Sequence, residues 1–421
     1  MQYMKNNNSL INEEIYKKGL ESINNKNFKL AEDIFSEILE KFPDHINSLF
    51  LLGYSLYAQK KNYTSLQYLI KATSLKKNFR DADYFIGKNF QDLKQFKKAK
   101  KYFQKIFNEY PKDLQNFINL ITVLIDLKEF KISDILLKKN KKIFKNDGVF
   151  ENLYGYLNLH SAKNNLSIQF YLESFKKNSK NLNTIINLAY VYLRSSDFIN
   201  SKKYFKKALE LNPESPNTLY AYSYFQLISG YIKEGLINYE NRKFVYNYNM
   251  NLFNNYNEWK GQNLDGKTLL ILSEQGLGDT IQFSRYIFDI KKKYKVKIIF
   301  QTKKKLFHFF NNKDLDLHEG KGKLPFFNYF VFLLSLPGIL YFKEKIFLEN
   351  NNYIPINKLN FQKWKNKLDY LKGKKIGLNW QGDPNFTRDF MRSVKLEIFE
   401  DLFKNKNCNF ISLQHGTGID Q

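Results

Sequence analysis

A period of 34 residues runs through the first 249 positions of this chain. Gly19, Gly53, Gly87 and Gly155 fall on one register, and Ala189 and Ser223 continue it with small residues. Ala31 and Ala99 share a later position in the frame. Phe35, Leu69, Phe103, Tyr171, Phe205 and Tyr239 share another, and Pro43, Pro111 and Pro213 end the unit. Each residue type has a job at its place. The small residue lets two helices approach, the large apolar residue fills the gap to the next unit, and proline stops the second helix. No such unit buries its apolar side alone, so the units must stack.

These positions resemble the tetratricopeptide repeat, in about seven units from Asn12 to Asn249 without insertion. The resemblance implies an antiparallel helix pair per unit and a right-handed superhelix. The fourth unit, Leu114 to Asp147, fits least well, with Ile121 at the glycine position. The last, with Gly230 and Gly235, is expected to abut the next domain. Such arrays hold partners in a concave groove. Tyr54, Tyr156, Tyr190 and Tyr224 recur just after the small residue, at a position that lines the groove in the family. Tyrosine suits recognition, having an apolar ring and a polar tip. Packing between units accounts for the same pattern. The occupant is expected to be a protein or peptide, or the chain's own C-terminal domain.

The 421 residues suffice for two or three domains, and 43% hydrophobic content suffices for packed cores. A single cysteine, Cys408, excludes a disulfide framework and fits a reducing compartment. Met1 to Asn12 is polar and shows no secretory signal. The longest apolar run, Tyr329 to Phe342, is too short to span a bilayer and is broken by Pro337-Gly338. The expectation is a cytoplasmic protein. A net charge of +26 is spread as lysine along the whole chain, with no arginine-rich block and no nucleic-acid module. That pattern argues against nucleic acid and leaves room for anionic substrates or peripheral contact with a membrane surface.

Beyond the asparagine-rich residues 250–265, expected to be a linker, the periodicity changes. Thr268 to Ser273, Val296 to Gln301, Tyr329 to Leu334, Lys374 to Trp380 and Asn409 to Leu413 are predicted strands. Asp279 to Lys293, Phe361 to Leu371 and Leu396 to Phe403 are predicted helices, with a short one at Leu306 to Phe310. Strands alternating with helices argue a parallel sheet. Gly261 to Thr268 matches the P-loop pattern but precedes a strand instead of following one. Gly276 and Gly278 begin a dinucleotide fingerprint, yet its third glycine position is Ile281. His45, His160, His308, His318 and His415 lack metal-ligand spacing, so no metal is expected. No nucleophile elbow or Cys/His pair marks a hydrolase. The turn after Leu272 is where an open α/β sheet places its chemistry, and Asp279 there is either a helix cap or a base.

Ser273 to Thr280 with Phe283 and Arg285, Leu333 to Pro337, Ile376 to Pro384, Arg392-Ser393 and Phe410 to Gln414 with Gly416 are similar to bacterial tetratricopeptide-repeat proteins fused to a glycosyltransferase domain. That domain is related to the heptosyltransferases. The O-GlcNAc transferases share the layout, but their motifs fit less well. The resemblance spans Thr268 to Gln421 and implies a GT-B fold of two Rossmann-like lobes: residues 266–357 as the first, and 358–421 as a linker helix and the start of the second. It implies metal-independent transfer from a nucleotide-sugar, with no other cofactor. Asp279 is then the general base, with Glu274 as the alternative, and Gly276, Gly278 and Thr280 shape the acceptor-side turn. Arg392 and Ser393 would contact the donor diphosphate. Trp380 and Gln381 would line the cleft, although Trp380 fits a core equally. Phe386 stands where relatives often carry histidine. Relatives continue past the last strand with further elements, so the chain is expected to be a fragment or to lack a full donor lobe.

Two functions follow. One is sugar transfer to a protein or glycan recruited by the repeats. The other is a binding scaffold whose transferase-like part is inactive or incomplete.

Overall fold

The structure, a computed structural model, describes residues 13–143, 148–246, 248, 253, 255–274, 276–311, 314–320, 322, 324–344 (341–344 by backbone alone), 353–354, 356–384, 389 and 392–421. The chain divides into two compact units. One runs to Ser195 and takes in residues 380–396 and 414–421; the other comprises 196–379 and 397–413. The expected domain boundary at residue 249 is therefore not where the compact units part.

Among the described residues, fourteen helices follow one another in the first part of the chain: α1 Glu13–Asn24, α2 Phe28–Lys41, α3 Ile46–Ala58, α4 Asn62–Leu75, α5 Arg80–Asp92, α6 Phe96–Glu109, α7 Leu114–Asp126, α8 Phe130–Asn140, α9 Val149–His160, α10 Asn164–Lys177, α11 Leu182–Arg194, α12 Phe198–Leu211, α13 Pro216–Ile228 and α14 Ile232–Tyr239. Within each compact unit they pair in the predicted frame. A Cβ at Gly53, Gly87 or Gly155 would stand 2.6 Å from Leu69, Phe103 or Tyr171, so the glycine is the point of closest approach within each pair. Leu69, Phe103, Leu137 and Tyr171 are all fully buried. Polar caps start several helices: Asn27, Asp113 and Asn181 accept from the third residue onward, as does Ser215 ahead of Pro216.

The turn inside each pair holds a regularity that residue types conceal. Lys26, Lys60, Lys94, Lys128, Ala162, Ser196 and Gly230 recur every 34 residues, and all have positive φ. Each ends a first helix in left-handed geometry. In most of them the next amide reaches back five residues, as in Lys61 N to Leu56 O at 2.9 Å and Glu129 N to Leu124 O at 2.9 Å. Lysine tolerates this conformation because the backbone bonds hold it there.

After α15 (Arg242–Val245) come β1 Asn257–Glu258, β2 Thr268–Leu272, α16 Leu277–Phe283, α17 Arg285–Lys293, β3 Lys297–Gln301, α18 Phe307–Phe310, β4 Asp316–His318, β5 Tyr329–Phe332 and α19 Leu336–Glu344. The five strands form one parallel sheet in the order β1-β5-β2-β3-β4. Leu269 and Ile271 of β2 face a core with Ile287, Phe300 and Val331; Leu270 and Leu272 face another with Phe327 and Phe330. Burial on both faces explains why β2 is a continuous apolar run. The chain leaves β2 toward β3 and β4, then returns to β5 on the other side, so the strand order reverses between β2 and β5. Residues 250–265, expected as a linker, contribute β1 and bury Trp259 and Leu264. The P-loop-like segment is the turn into β2, with Gly261 and Gly266 at positive φ. The helix expected from Asp279 to Lys293 breaks at Ser284.

Further on, α20 Lys358–Leu368 precedes β6 Lys374–Leu378; α21 Glu400–Phe403 precedes β7 Cys408–Ser412. β6 and β7 form a separate two-stranded parallel sheet. Around it Trp364, Ile398 and Leu413 are more than half exposed.

Candidate functional site

Asp279 lies at the third position of α16, not at its N-cap. Its Oδ2 accepts from the Gly276 amide at 3.1 Å, and Gly276 occupies the cap. The Thr280 hydroxyl donates to the Gly276 carbonyl at 2.9 Å. The carboxylate thus closes the turn that carries it, which is the geometry of a cap. Gly278 has open space where a Cβ would stand. Asp279→Ala removes the bond and is expected to cost about 0.5–1 kcal/mol, read as a lowered thermal midpoint; Asp279→Asn keeps an acceptor and should cost less.

Glu274 sits at the end of β2, where the strand order reverses, and its side chain is almost fully buried. Sequence reasoning missed its partner. Arg242, fully buried at the start of α15, donates from Nε to Glu274 Oε1 at 2.6 Å, from Nη1 to Glu240 Oε1 at 2.6 Å and from Nη2 to Ser335 Oγ at 2.8 Å. Ser335 follows β5 and donates to Glu240 Oε2 at 2.8 Å. In open α/β sheets, ligands favour the crevice beyond the strand ends at such a reversal. Here the guanidinium fills that place, tied to the ends of both flanking strands. Lys243 bonds Glu240 and Glu258, so three carboxylates share two cations. Burial and the neighbouring Glu240 push the Glu274 carboxyl up to about 7 against the pull of Arg242, and Glu274 Oε2 has no partner. Arg242 and Lys243 hold Glu240 below the usual carboxylate range in spite of its burial. A signal did exist. Among 67 lysines and arginines, only Arg80, Arg194, Arg242, Arg285, Arg388 and Arg392 are arginine, the residue suited to multidentate buried pairing.

The residues expected to bind the donor lie in the other compact unit. Trp380 is buried and its indole N–H has no partner. The Trp380 and Gln381 amides both donate to Gln414 Oε1, at 3.1 and 3.0 Å, and Gln414 Nε2 donates to the Gln381 and Thr417 carbonyls. Gln414, just past β7, is the organiser that sequence reasoning did not single out. Ser393 Oγ accepts from the Gly382 amide at 2.9 Å. Arg392, about half exposed, bonds Asp389 at 3.1 Å. Phe386 lies outside the described residues. Among those described, no group of three or more His, Cys, Asp or Glu could hold a metal ion. Among the described residues no helix is long and apolar enough to cross a membrane.

All four recurrent tyrosines are half-buried. Tyr54 packs edgewise on Phe85 of the next pair, with ring centroids 4.8 Å apart, and Tyr57 lies 5.3 Å from the same ring. The Tyr156 hydroxyl donates to Asp126 Oδ1 at 3.1 Å, and its ring lies 4.2 Å from that of His160. The Tyr224 hydroxyl is 2.5 Å from that of Tyr220; Tyr190 lies on α11. Tyr54 thus serves the packing between units, while Tyr156 also presents a polar tip.

No curated protein matches the chain. Two tetratricopeptide-repeat family models match it, at residues 81–113 and 182–215. Solved tetratricopeptide-repeat proteins are similar to it. One from Parabacteroides merdae is 13% identical, over 57% of this chain and 94% of its own, with a TM-score of 0.50. Another, from Thermus thermophilus, is 15% identical over 43% and 99%, at 0.39. MamA from Desulfovibrio magneticus is 17% identical over 41% and 97%, at 0.34. At these identities the likeness concerns the fold alone, and the first of the three carries it. The chain carries tetratricopeptide repeats, folded as a solenoid-type series of helix pairs.

Proposed function

We propose that the chain binds a protein or peptide, held as an extended segment along the first helices of its repeats. The observation that supports this most is the half-buried polar and aromatic set on those helices, with Tyr156, Asp126 and His160 at its centre. Rigid amphipathic side chains of this kind give binding area at low entropic cost. Panning a random-peptide library on the full chain tests it. Recovered peptides should lose about tenfold or more in affinity for Tyr156→Ala. Failure to recover any binder, or binders indifferent to every groove substitution, sinks the reading.

A second reading, sugar transfer, has its own support: a parallel sheet with its glycine turn at the reversal between β2 and β5. In it the half-exposed Asp279 takes the acceptor proton, and the hydrogen bond from Gly276 orients its carboxylate. Glu274 is the alternative base. Arg392, Ser393, Trp380 and Gln381 serve the nucleotide-sugar, and no metal takes part. The test is hydrolysis or transfer from a panel of nucleotide-sugars; turnover unchanged in Asp279→Asn removes Asp279 from the mechanism.

A further inference from the structure

We propose that Asp126 is the docking point for a lysine or arginine side chain of the partner segment. This rests on the peptide-binding reading above and adds the chemistry of one position in the ligand. Asp126 is the last residue of α7, one turn on from Thr122. Thr122 holds the register that Tyr54 and Tyr156 hold in their units, so Asp126 shares the face they present.

The carboxylate is half-buried and takes one hydrogen bond, from the Tyr156 hydroxyl to Oδ1. Among the described residues it is in no ion pair. The residue 34 positions earlier shows what the fold does otherwise. Asp92 has Lys60 Nζ at 3.5 Å and the Tyr57 hydroxyl beside it. Among the described residues, then, Asp92 has a cation and Asp126 has none. Burial without a cation pushes the Asp126 carboxyl up to about 6, opposed by the Tyr156 bond alone. A charge held from water without a counter-charge destabilises the free protein, and a cation brought by a ligand relieves that cost.

The surroundings fit a side chain better than a bare ion. One carboxylate bonded to the Tyr156 hydroxyl offers a salt-bridge acceptor beside an aromatic ring. A single acid does not make a divalent metal site. The net charge of +26 draws acidic segments from a distance, whereas Asp126 selects one basic residue at short range. The partner is accordingly a segment of mixed charge.

The test pans a random-peptide library on the wild-type chain and on Asp126→Asn. The wild type should select peptides with lysine or arginine at one fixed position, and the variant should still select peptides but without that preference. For a synthesised wild-type binder, Asp126→Asn and lysine-to-norleucine in the peptide should each weaken binding about tenfold, and together little more. Affinity should also fall as pH drops below about 6, where the carboxylate is protonated, and Asp126→Asn should flatten that fall. Asp126→Asn should be at least as stable as wild type in thermal unfolding; a purely structural role for the bond to Tyr156 requires the reverse. Peptides without a basic preference, or the same preference on both proteins, overturn the assignment of Asp126 while leaving the groove a binding site. Recovery of no peptide by either protein overturns both.

Discussion

Arg242→Ala should lower the unfolding free energy by about 3–5 kcal/mol, the usual cost of stripping one partner from a buried ion pair. The guanidinium is fully buried and holds Glu274, Glu240 and Ser335 together. Its loss strands the Glu274 carboxylate at the end of β2, where water cannot reach it. Glu274→Gln should behave differently. It keeps an oxygen for Arg242 Nε and removes the surplus negative charge, so the change should stay within about 1 kcal/mol. Urea titration followed by Trp259 fluorescence, with Trp364 and Trp380 replaced by Phe, measures both. Equal losses in the two variants would show that the network is not held by the arginine.

The same pair carries a pH signature. The Glu274 carboxyl is raised to about 7 in the folded chain from an ordinary 4.5. Between those values the folded state binds more proton than the unfolded state, so this group's contribution to stability falls as pH rises through that window. Glu240, held low, acts oppositely: its contribution is lost as pH falls. Subtracting the Glu274→Gln profile from the wild-type profile isolates the first effect. A flat difference between pH 4.5 and 7 would contradict it.

Phe103→Ala is expected to cost a further class of energy, about 3–5 kcal/mol, through the cavity left between α5 and α6. The ring is fully buried, and its Cε1 stands 2.6 Å from where a Gly87 Cβ would be. The two positions must therefore couple. Gly87→Ala in the wild type should destabilise by about 1–3 kcal/mol through overpacking, less the gain of about 1 kcal/mol from better helix propensity. With Phe103→Ala present, the same change has room and should stabilise. A double-mutant cycle by circular dichroism in urea reads the coupling; strict additivity would mean that the helices separate freely at this point.

The repeat frame was legible in the sequence because its determinants are local. A small residue, a large apolar residue and a proline at fixed offsets dictate how two adjacent helices pack, and the offsets recur. β2 and β3 were legible for a similar reason, since a strand buried on both faces must be apolar throughout. The positive-φ turns at Lys26, Lys60, Lys94 and Lys128 were not, because backbone hydrogen bonds impose that geometry on a residue with no preference for it. The cap geometry of Asp279 was foreseeable as one of two roles, and only the turn's actual path set its oxygen beside the Gly276 amide.

The greatest gap concerns Glu274 and Asp126. The sequence determined that an acid ends β2 and that an acid ends α7. Tertiary structure alone decided that Arg242, 32 residues from Glu274 and 93 from Ser335, closes the place where the sheet reverses, and that Asp126 receives a tyrosine hydroxyl and, among the described residues, no cation. A carboxylate's chemistry depends on which charges share its burial, and those neighbours come from segments whose spacing along the chain carries no trace of their meeting.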